Sequence, residues 1–217
     1  EQMPKLNDGV YWSDVFDGSQ LMLRGIHNLT IQGTVKNETK EITDVTVDPR
    51  YAFVMSFTNC SGISIENITA GHTEAGECSG GVFEFTECAN IKLNGADMYG
   101  CGTEGLRLTL TKDVTVSHSS IYDCTYDIMT LDSCRNITFN DDCSFYGNKE
   151  YTLVNVWGSD NVTYTNCDFS NNKGSQMFDV DGASKVTVDS CHFMGNSMSD
   201  GPVKESKNVT FKNCKFN

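Results

Sequence analysis

The sequence predicts an all-β fold in which short strands coil into a parallel β-helix. One line of sequence recurs, as in "VTYTNCDFSNN", "VTVDSCHFMGN" and "VTFKNCKFN". Within each copy apolar and polar residues alternate, as they do in a strand with one buried face. A short repeat without a helical stripe cannot bury its apolar residues alone, but it can when successive copies stack on one another.

The first apolar residue of each copy, which we call the anchor, gives the period. Successive anchors are 34, 28, 23, 23, 25, 24 and 23 residues apart, at Leu29, Ile63, Ile91, Val114, Ile137, Val162, Val186 and Val209. We therefore expect a solenoid of about seven to eight rungs of roughly 23 residues, stacked about 4.8 Å apart. We expect it to be a single domain over residues 1–217, with a cap segment at 1–18 and the rungs at 19–217.

Each rung is predicted to hold three strands. The first has apolar residues eight and six positions before the anchor, and this column runs from Leu21 and Leu23 to Val203. The second begins at the anchor itself. The third carries an apolar residue seven positions after most anchors, such as Phe169 and Phe193. Asn, Asp, Gly and Ser separate the strands, and these residues favour turns.

The lines "NVTYTNCDFSNN" and "NITFNDDCSFYGN" resemble the repeat of right-handed parallel β-helix proteins of the pectin-lyase-like superfamily. The resemblance covers about nine-tenths of the chain and implies a right-handed coil. The stretches "GHTEAGECSGGVFEF" and "YGCGTEGL" are similar to uncharacterised secreted bacterial members, which implies an extracellular or cell-surface location. The resemblance implies no single activity, because this repeat occurs in lyases, glycoside hydrolases, epimerases and adhesins.

Charge limits the partners. A net charge of -13 argues against nucleic acid and anionic membranes as partners, and no apolar stretch is long enough to predict a membrane span. The same charge would repel an acidic polysaccharide unless Ca²⁺ bridged the two, so Ca²⁺ is the one cofactor we consider. Because the last rung ends on apolar residues, we also expect the chain to continue beyond Asn217 or to associate end to end with another copy.

The ten cysteines sort by their position relative to the anchors. Cys167, Cys191 and Cys214 lie five residues after an anchor, with the parity of the inward phenylalanines, so we expect them to fill the core as small apolar residues. No CxxC motif is present and the four histidines are scattered, so no metal site is predicted. If one disulfide forms, Cys101 and Cys124 are the best pair, because they occupy the same turn position on adjacent rungs.

The candidate functional site lies on the outward face of the first strand column. Two longer intervals place loops at residues 34–50 and 70–80, next to this column. The outward positions carry acids, one arginine and one tryptophan: Glu84, Arg107, Asp132, Asn155, Trp157, Asp179 and Asp181. His72 and Glu74 belong to the loop His72–Cys78, which we expect to form one wall. An outward tryptophan flanked by carboxylates suits a sugar ring.

Two classes of function follow. The first is glycan-directed, by polysaccharide binding or processing, with Trp157, Asp132, Asn155, His72 and Glu74 as ligand-binding residues. A lyase or epimerase needs a base and a cation, which Glu84 and Arg107 would supply. A glycoside hydrolase needs two carboxylates, for which Asp179 and Asp181 are the candidates. The second class is a non-catalytic adhesion or protein-interaction module, and the residues alone leave the choice open.

Overall fold

A computed structural model shows the chain as a parallel β-helix and describes residues 9–34, 42–76 and 79–217. Over those ranges every regular element is a strand apart from one 3₁₀ helix. The strands form one sheet of eight strands, which we call the front sheet, one of fourteen, which we call the back sheet, and a pair. No helix in these ranges is long and apolar enough to cross a membrane.

The strands are numbered in chain order. Those of the front sheet are β1 (Val10–Val15), β2 (Gly18–Arg24), β5 (Met55–Thr58), β7 (Phe83–Thr86), β9 (Glu104–Thr109), β12 (Asp127–Asp132), β15 (Val154–Trp157) and β19 (Phe178–Asp181). Those of the back sheet are β3 (His27–Gln32), β4 (Asp44–Val47), β6 (Ser61–His72), β8 (Ala89–Tyr99), β10 (Lys112–Ser117), β11 (Ser120–Tyr122), β13 (Arg135–Asn140), β14 (Ser144–Tyr146), β16 (Asp160–Thr165), β17 (Asp168–Ser170), β20 (Ser184–Asp189), β21 (His192–Met194), β23 (Val209–Lys212) and β24 (Lys215–Phe216). The pair is β18 (Lys173–Gly174) and β22 (Ser197–Met198).

The anchors of successive rungs pair with one another in the back sheet. Leu29 pairs with Ile63, Ile63 with Ile91, and the register continues in this way to Val209. The pairing is parallel throughout, so equivalent residues stack and their side chains enter one core. This register confirms the predicted fold class and rung length.

Aromatic side chains stack along the core as the rungs do. Phe57 lies on Phe85 with ring centroids 4.6 Å apart, and Phe169 lies on Phe193 at 4.8 Å. These separations match the distance between adjacent strands, and the near-parallel rings gain dispersion contacts beyond simple burial. The repeated phenylalanine therefore stabilises the stacking of one rung on the next.

The predicted strand at Val203 is wrong. Residues Val203–Glu205 form the 3₁₀ helix, η1, after Pro202. Proline has no N–H to donate to a ladder and its φ is fixed, so this rung cannot add a full strand to β19. The front sheet therefore ends at β19, one rung before the back sheet ends.

Buried polar side chains hold the turns between the strands. Asn172 donates through Nδ2 to the carbonyl oxygen of Phe145 at 2.9 Å and to Oδ1 of Asn196 at 3.0 Å, and its own Oδ1 accepts from the backbone N–H of Asn148 at 3.0 Å. At another corner, Ser159 Oγ accepts from the N–H of Cys134. These bonds satisfy backbone groups that the bend removes from the sheets.

Cysteines lie in the core and at the turn positions that Ser159 and Asn172 occupy in other rungs. Eight of the nine described cysteines are buried and Cys214 is half-buried, which confirms the expected core placement of Cys167 and Cys191. Several thiols also donate to a carbonyl two residues earlier, as Cys134 does to Asp132. A thiol is thus both a small apolar filler and a weak donor here. Cys78 lies outside the described residues.

The start of the described chain extends the front sheet. Strand β1 pairs antiparallel with β2, with Trp12 opposite Leu21. Tyr11, Trp12 and Phe16 are exposed, and the Phe16 ring lies against Tyr51 at 5.1 Å. These aromatic residues therefore lie on the surface of the first rung.

Candidate functional site

The outward face of the front sheet brings the predicted residues into two aligned ranks. In one rank Glu84 pairs with Arg107, and the ladder continues through Thr130 and Asn155 to Asp179. In the other rank Trp157 lies between Asp132 and Asp181. Parallel pairing without a register shift places these side chains on one face at the spacing of the rungs.

Arg107 is the centre of a group of charged side chains on this face. It forms ion pairs with Glu104 and, at 3.7 Å, with Glu84. Its guanidinium carbon also lies 5.0 Å from the centroid of the Phe53 ring, a cation–π contact. Glu84 in turn accepts a 2.5 Å hydrogen bond from Ser56 Oγ. One cation is thus held in place by two carboxylates and a ring.

Two acids that the sequence reasoning missed complete this group. Glu104 is only 3% exposed, and its partner in the next rung is Asp127. Burial raises the pKa of Glu104, against the lowering effect of Arg107. Burial, together with the negative charge of Glu104, raises the pKa of Asp127 to about 7. Two adjacent carboxyl groups with a single arginine therefore favour a proton on at least one of them.

A signal for these two acids was present in the sequence. Glu104 and Asp127 lie ten residues before their anchors, at the parity that predicts an inward side chain. Two acids at an inward position on consecutive rungs contradict a simple apolar core. Only outward positions were candidates for the site, whereas Glu104 is buried and still forms an ion pair with Arg107.

The structure separates His72 and Glu74 from the outward face. His72 is 3% exposed and donates through Nε2 to the carbonyl oxygen of Gly81 at 3.0 Å. Burial lowers the pKa of His72. Glu74 is exposed and forms an ion pair with Arg50. His72 and Glu74 thus bond to Gly81 and Arg50, respectively. Gly81 also lies next to the Phe53 ring that contacts Arg107, since a Cβ at Gly81 would lie 2.4 Å from that ring.

Trp157 is the one apolar side chain among the predicted site residues, and it is partly exposed. Its residue is 39% exposed, and its Nε1 donates to Asp179 Oδ2 at 3.0 Å. Asp179 pairs with Asn155 in the preceding rung, so the indole leans toward the end of the front sheet. This hydrogen bond orients the indole ring, and part of the ring's apolar surface stays exposed to water.

A groove of about 670 Å³ begins at this tryptophan. It lies between the last strand of the front sheet and the segment that carries η1, with Asp179, Asp181, Asp200 and Glu205 along it. The groove exists because Pro202 and η1 replace the strand that the repeat predicts there. On its floor, Asn208 Nδ2 donates to the carbonyl oxygen of Val180 at 2.8 Å and so satisfies part of the open strand edge.

The remaining predicted residues occupy the middle of the face. Asn155 is only 5% exposed, and hydrogen bonding from its side chain lowers the pKa of Asp127, against the larger effect of burial. Asp132 is half-buried and accepts from Ser133 Oγ at 2.9 Å. Within the described ranges no three His, Cys, Asp or Glu side chains converge as metal ligands would, and Ca²⁺ stays a prediction.

Comparison with known families identifies the repeat. A family model described as "Right handed beta helix region" matches residues 18–161 and 129–217, which together cover most of the chain. No curated protein matches it significantly.

Solved structures with similar coils are distant. A candidate glycosyl hydrolase from Parabacteroides merdae is 14% identical over 81% of this chain and 78% of its own, with a TM-score of 0.35. The ORF18 protein of Geobacillus virus E2 is 11% identical over 91% of this chain and 51% of its own, with a TM-score of 0.38. Tailspike protein 2 of the Escherichia coli O157:H7 bacteriophage CAB120 is 10% identical over 86% of this chain and 34% of its own, also at 0.38. At these values the likenesses carry no argument about activity.

Proposed function

This chain belongs to the right-handed β-helix family, and we propose that it binds a glycan on the outward face of the front sheet, with Trp157 as the platform for one sugar ring. The exposed indole carries the proposal. A sugar presents apolar C–H groups on its faces and hydroxyls around its edge, so it matches a flat ring beside hydrogen-bond acceptors. Asp179 and Asp181 are those acceptors, and the groove beside them leaves room for further sugar units. An extracellular or cell-surface location would suit this role.

The alternative function is that this face binds a protein partner instead of a glycan. An exposed tryptophan serves that role as well. The groove favours the glycan, because carboxylates at the edge of the ring match the ring of hydroxyls around a sugar. Any glycan binding that requires Trp157 would support the proposal, whether or not the glycan is cleaved.

The test is a binding screen of neutral, amino-sugar and uronic-acid oligosaccharides by isothermal titration calorimetry, with and without Ca²⁺. The variant is Trp157→Ala, and the matched control is Trp12→Ala, because Trp12 is equally exposed at 40% but lies in β1. We expect Trp157→Ala to weaken binding at least about tenfold and Trp12→Ala to leave it unchanged. Equal affinity of the two variants, or no binding of any oligosaccharide, would refute the proposal.

A second candidate function is processing of the bound glycan, and the Arg107 group favours it. A glycoside hydrolase needs one protonated and one ionised carboxyl group. Asp127, whose pKa is raised to about 7, would be the acid, and Glu84, beside Arg107, would be the ionised group. For a lyase or epimerase, Arg107 would be the cation that holds the developing charge.

Processing is tested by looking for products from each glycan that binds. We expect Asp127→Asn and Glu84→Gln to abolish product formation while glycan affinity changes less than about threefold. Binding without products from the unaltered protein would remove processing and keep the binding function.

A further inference from the structure

The groove beside Trp157 carries more negative charge than the recognition of a neutral sugar requires. Four carboxylates lie along it, those of Asp179, Asp181, Asp200 and Glu205, and Lys207 is the one basic residue with them. Throughout the described part of the chain, none of these four acids forms an ion pair. The basic side chains that could have neutralised them are absent from the groove wall, apart from Lys207.

The hydrogen bonds around the groove leave most of these oxygens available. Asp179 uses Oδ2 to hold Trp157, and Asp200 accepts at Oδ1 from Ser199. Asp181 is exposed at the end of β19, directly beside Trp157 in the register. A ligand that stacks on the indole would therefore place its edge against Asp181 and the free oxygen of Asp179.

Electrostatics then decides which class of ligand fits. A neutral sugar can donate its hydroxyls to these carboxylates, but it supplies no counter-charge for the four of them, so part of the cost of removing their water stays uncompensated. A uronic acid adds like charge at contact distance, where repulsion is greatest. An ammonium group on the sugar supplies the missing cation and makes charge-assisted hydrogen bonds, which are about twice as strong as neutral ones.

We propose that the ligand of this groove is a glycan whose sugar units carry free amino groups. The proposal rests on the proposed glycan-binding function and adds the chemical class of the ligand. The indole would hold the apolar face of one ring, and the carboxylates of Asp181 and Asp200 would bind the ammonium groups of that unit and its neighbour. Because these groups are partly solvated, the preference for the charged glycan should weaken as salt rises.

The experiment compares two hexamers with the same backbone, one of β-1,4-linked glucosamine and one of its N-acetylated counterpart. At low salt and pH 6 we expect the amino form to bind about tenfold tighter or more, as one charge-assisted hydrogen bond would give. We expect this preference to shrink severalfold in 0.5 M NaCl. A double variant, Asp181→Asn with Asp200→Asn, should lose the preference, since it keeps the shape and removes the charge. The control is Asp14→Asn, an exposed acid on β1, which should leave the preference unchanged.

The outcomes separate this proposal from the function on which it rests. Equal or tighter binding of the N-acetylated hexamer overturns the amino-sugar inference and leaves glycan binding intact. Failure to bind either hexamer or any other oligosaccharide of the screen overturns both. Binding of a hexalysine peptide as tightly as the glucosamine hexamer, with no loss in Trp157→Ala, would show a general cation site and would also overturn the inference.

Discussion

At the scale of single residues, Trp157 is held by one hydrogen bond and not by burial. Among the described residues Asp179 is the one hydrogen-bond partner of Trp157 Nε1, so removing its carboxylate would release the indole. Arg107 presents the opposite case, since it is fixed by two acids and a ring. In the proposed function the first side chain contacts a ligand, whereas the second belongs to a network whose protonation state is set by its neighbours.

That network makes the stability of the protein depend on pH. Asp127 has a pKa of about 7 in the folded protein and about 3.9 when unfolded, so between these values the folded state binds the extra proton. Its contribution to the free energy of unfolding is therefore present below about pH 4 and is lost as the pH rises through about 7. The raised pKa of Glu104 acts in the same direction, and Arg107 and Glu84 are the other charges facing the pair.

We expect Asp127→Asn to flatten this dependence. Urea unfolding at pH 4 to 8 should show a smaller loss of stability in the variant than in the unaltered protein, because the asparagine has no proton to release. Asp14→Asn is the control and should follow the unaltered protein. Parallel curves for Asp127→Asn and the unaltered protein would show that Asp127 titrates normally.

The sulfur atoms of Cys101 and Cys124 lie 2.6 Å apart, and both residues are buried. At this distance little movement is needed to form a disulfide. After oxidation with diamide and digestion, peptide mapping should find the Cys101–Cys124 cross-link first. A cross-link between Cys143 and Cys167 in its place would contradict this order.

At the scale of the elements, the turns are as regular as the strands. Asn172 is 1% exposed. Its side chain donates to the carbonyl oxygen of Phe145 and to Oδ1 of Asn196, and it accepts from the backbone N–H of Asn148. Its replacement leaves several buried groups without partners, each of which costs about 1–3 kcal/mol. The ladder of asparagines therefore transmits the register from rung to rung outside the two sheets.

We expect Asn172→Ala to lower the free energy of unfolding by about 3–5 kcal/mol. Asn196→Ala should cost less, because Asn196 is the last member of the ladder and fewer groups depend on it. Chemical denaturation of both variants gives the comparison. A loss below about 1 kcal/mol for Asn172→Ala would mean that water replaces the side chain.

Sequence reasoning succeeded where the physics is local and repeated. The period of the anchors predicted the register, because each β-branched or aliphatic anchor needs the next one to cover it. It failed at Val203, where the apolar residue is present but Pro202 prevents a strand. It missed Glu104 and Asp127 for a different reason, since both occupy an inward position, where alternation predicts an apolar side chain.

At the scale of the whole molecule, the stacked rungs support the outward face of the front sheet, on which the proposed site lies. Aromatic stacks and parallel ladders run the length of the coil, and the acids of the chain, with a net charge of -13, keep the outside hydrated. The irregular end of the front sheet opens the groove beside Trp157. Continuation beyond Asn217 and end-to-end association stay predictions.

The central claim is that a glycan lies on Trp157, and the fluorescence of that one side chain tests it most directly. Trp12→Phe leaves Trp157 as the only tryptophan, because the chain has two. Titration with the tightest-binding oligosaccharide should shift the emission of Trp157 to shorter wavelength, since the sugar ring removes water from the indole, with a midpoint equal to the Kd from calorimetry. Saturating binding by calorimetry with unchanged Trp157 emission would contradict the claim.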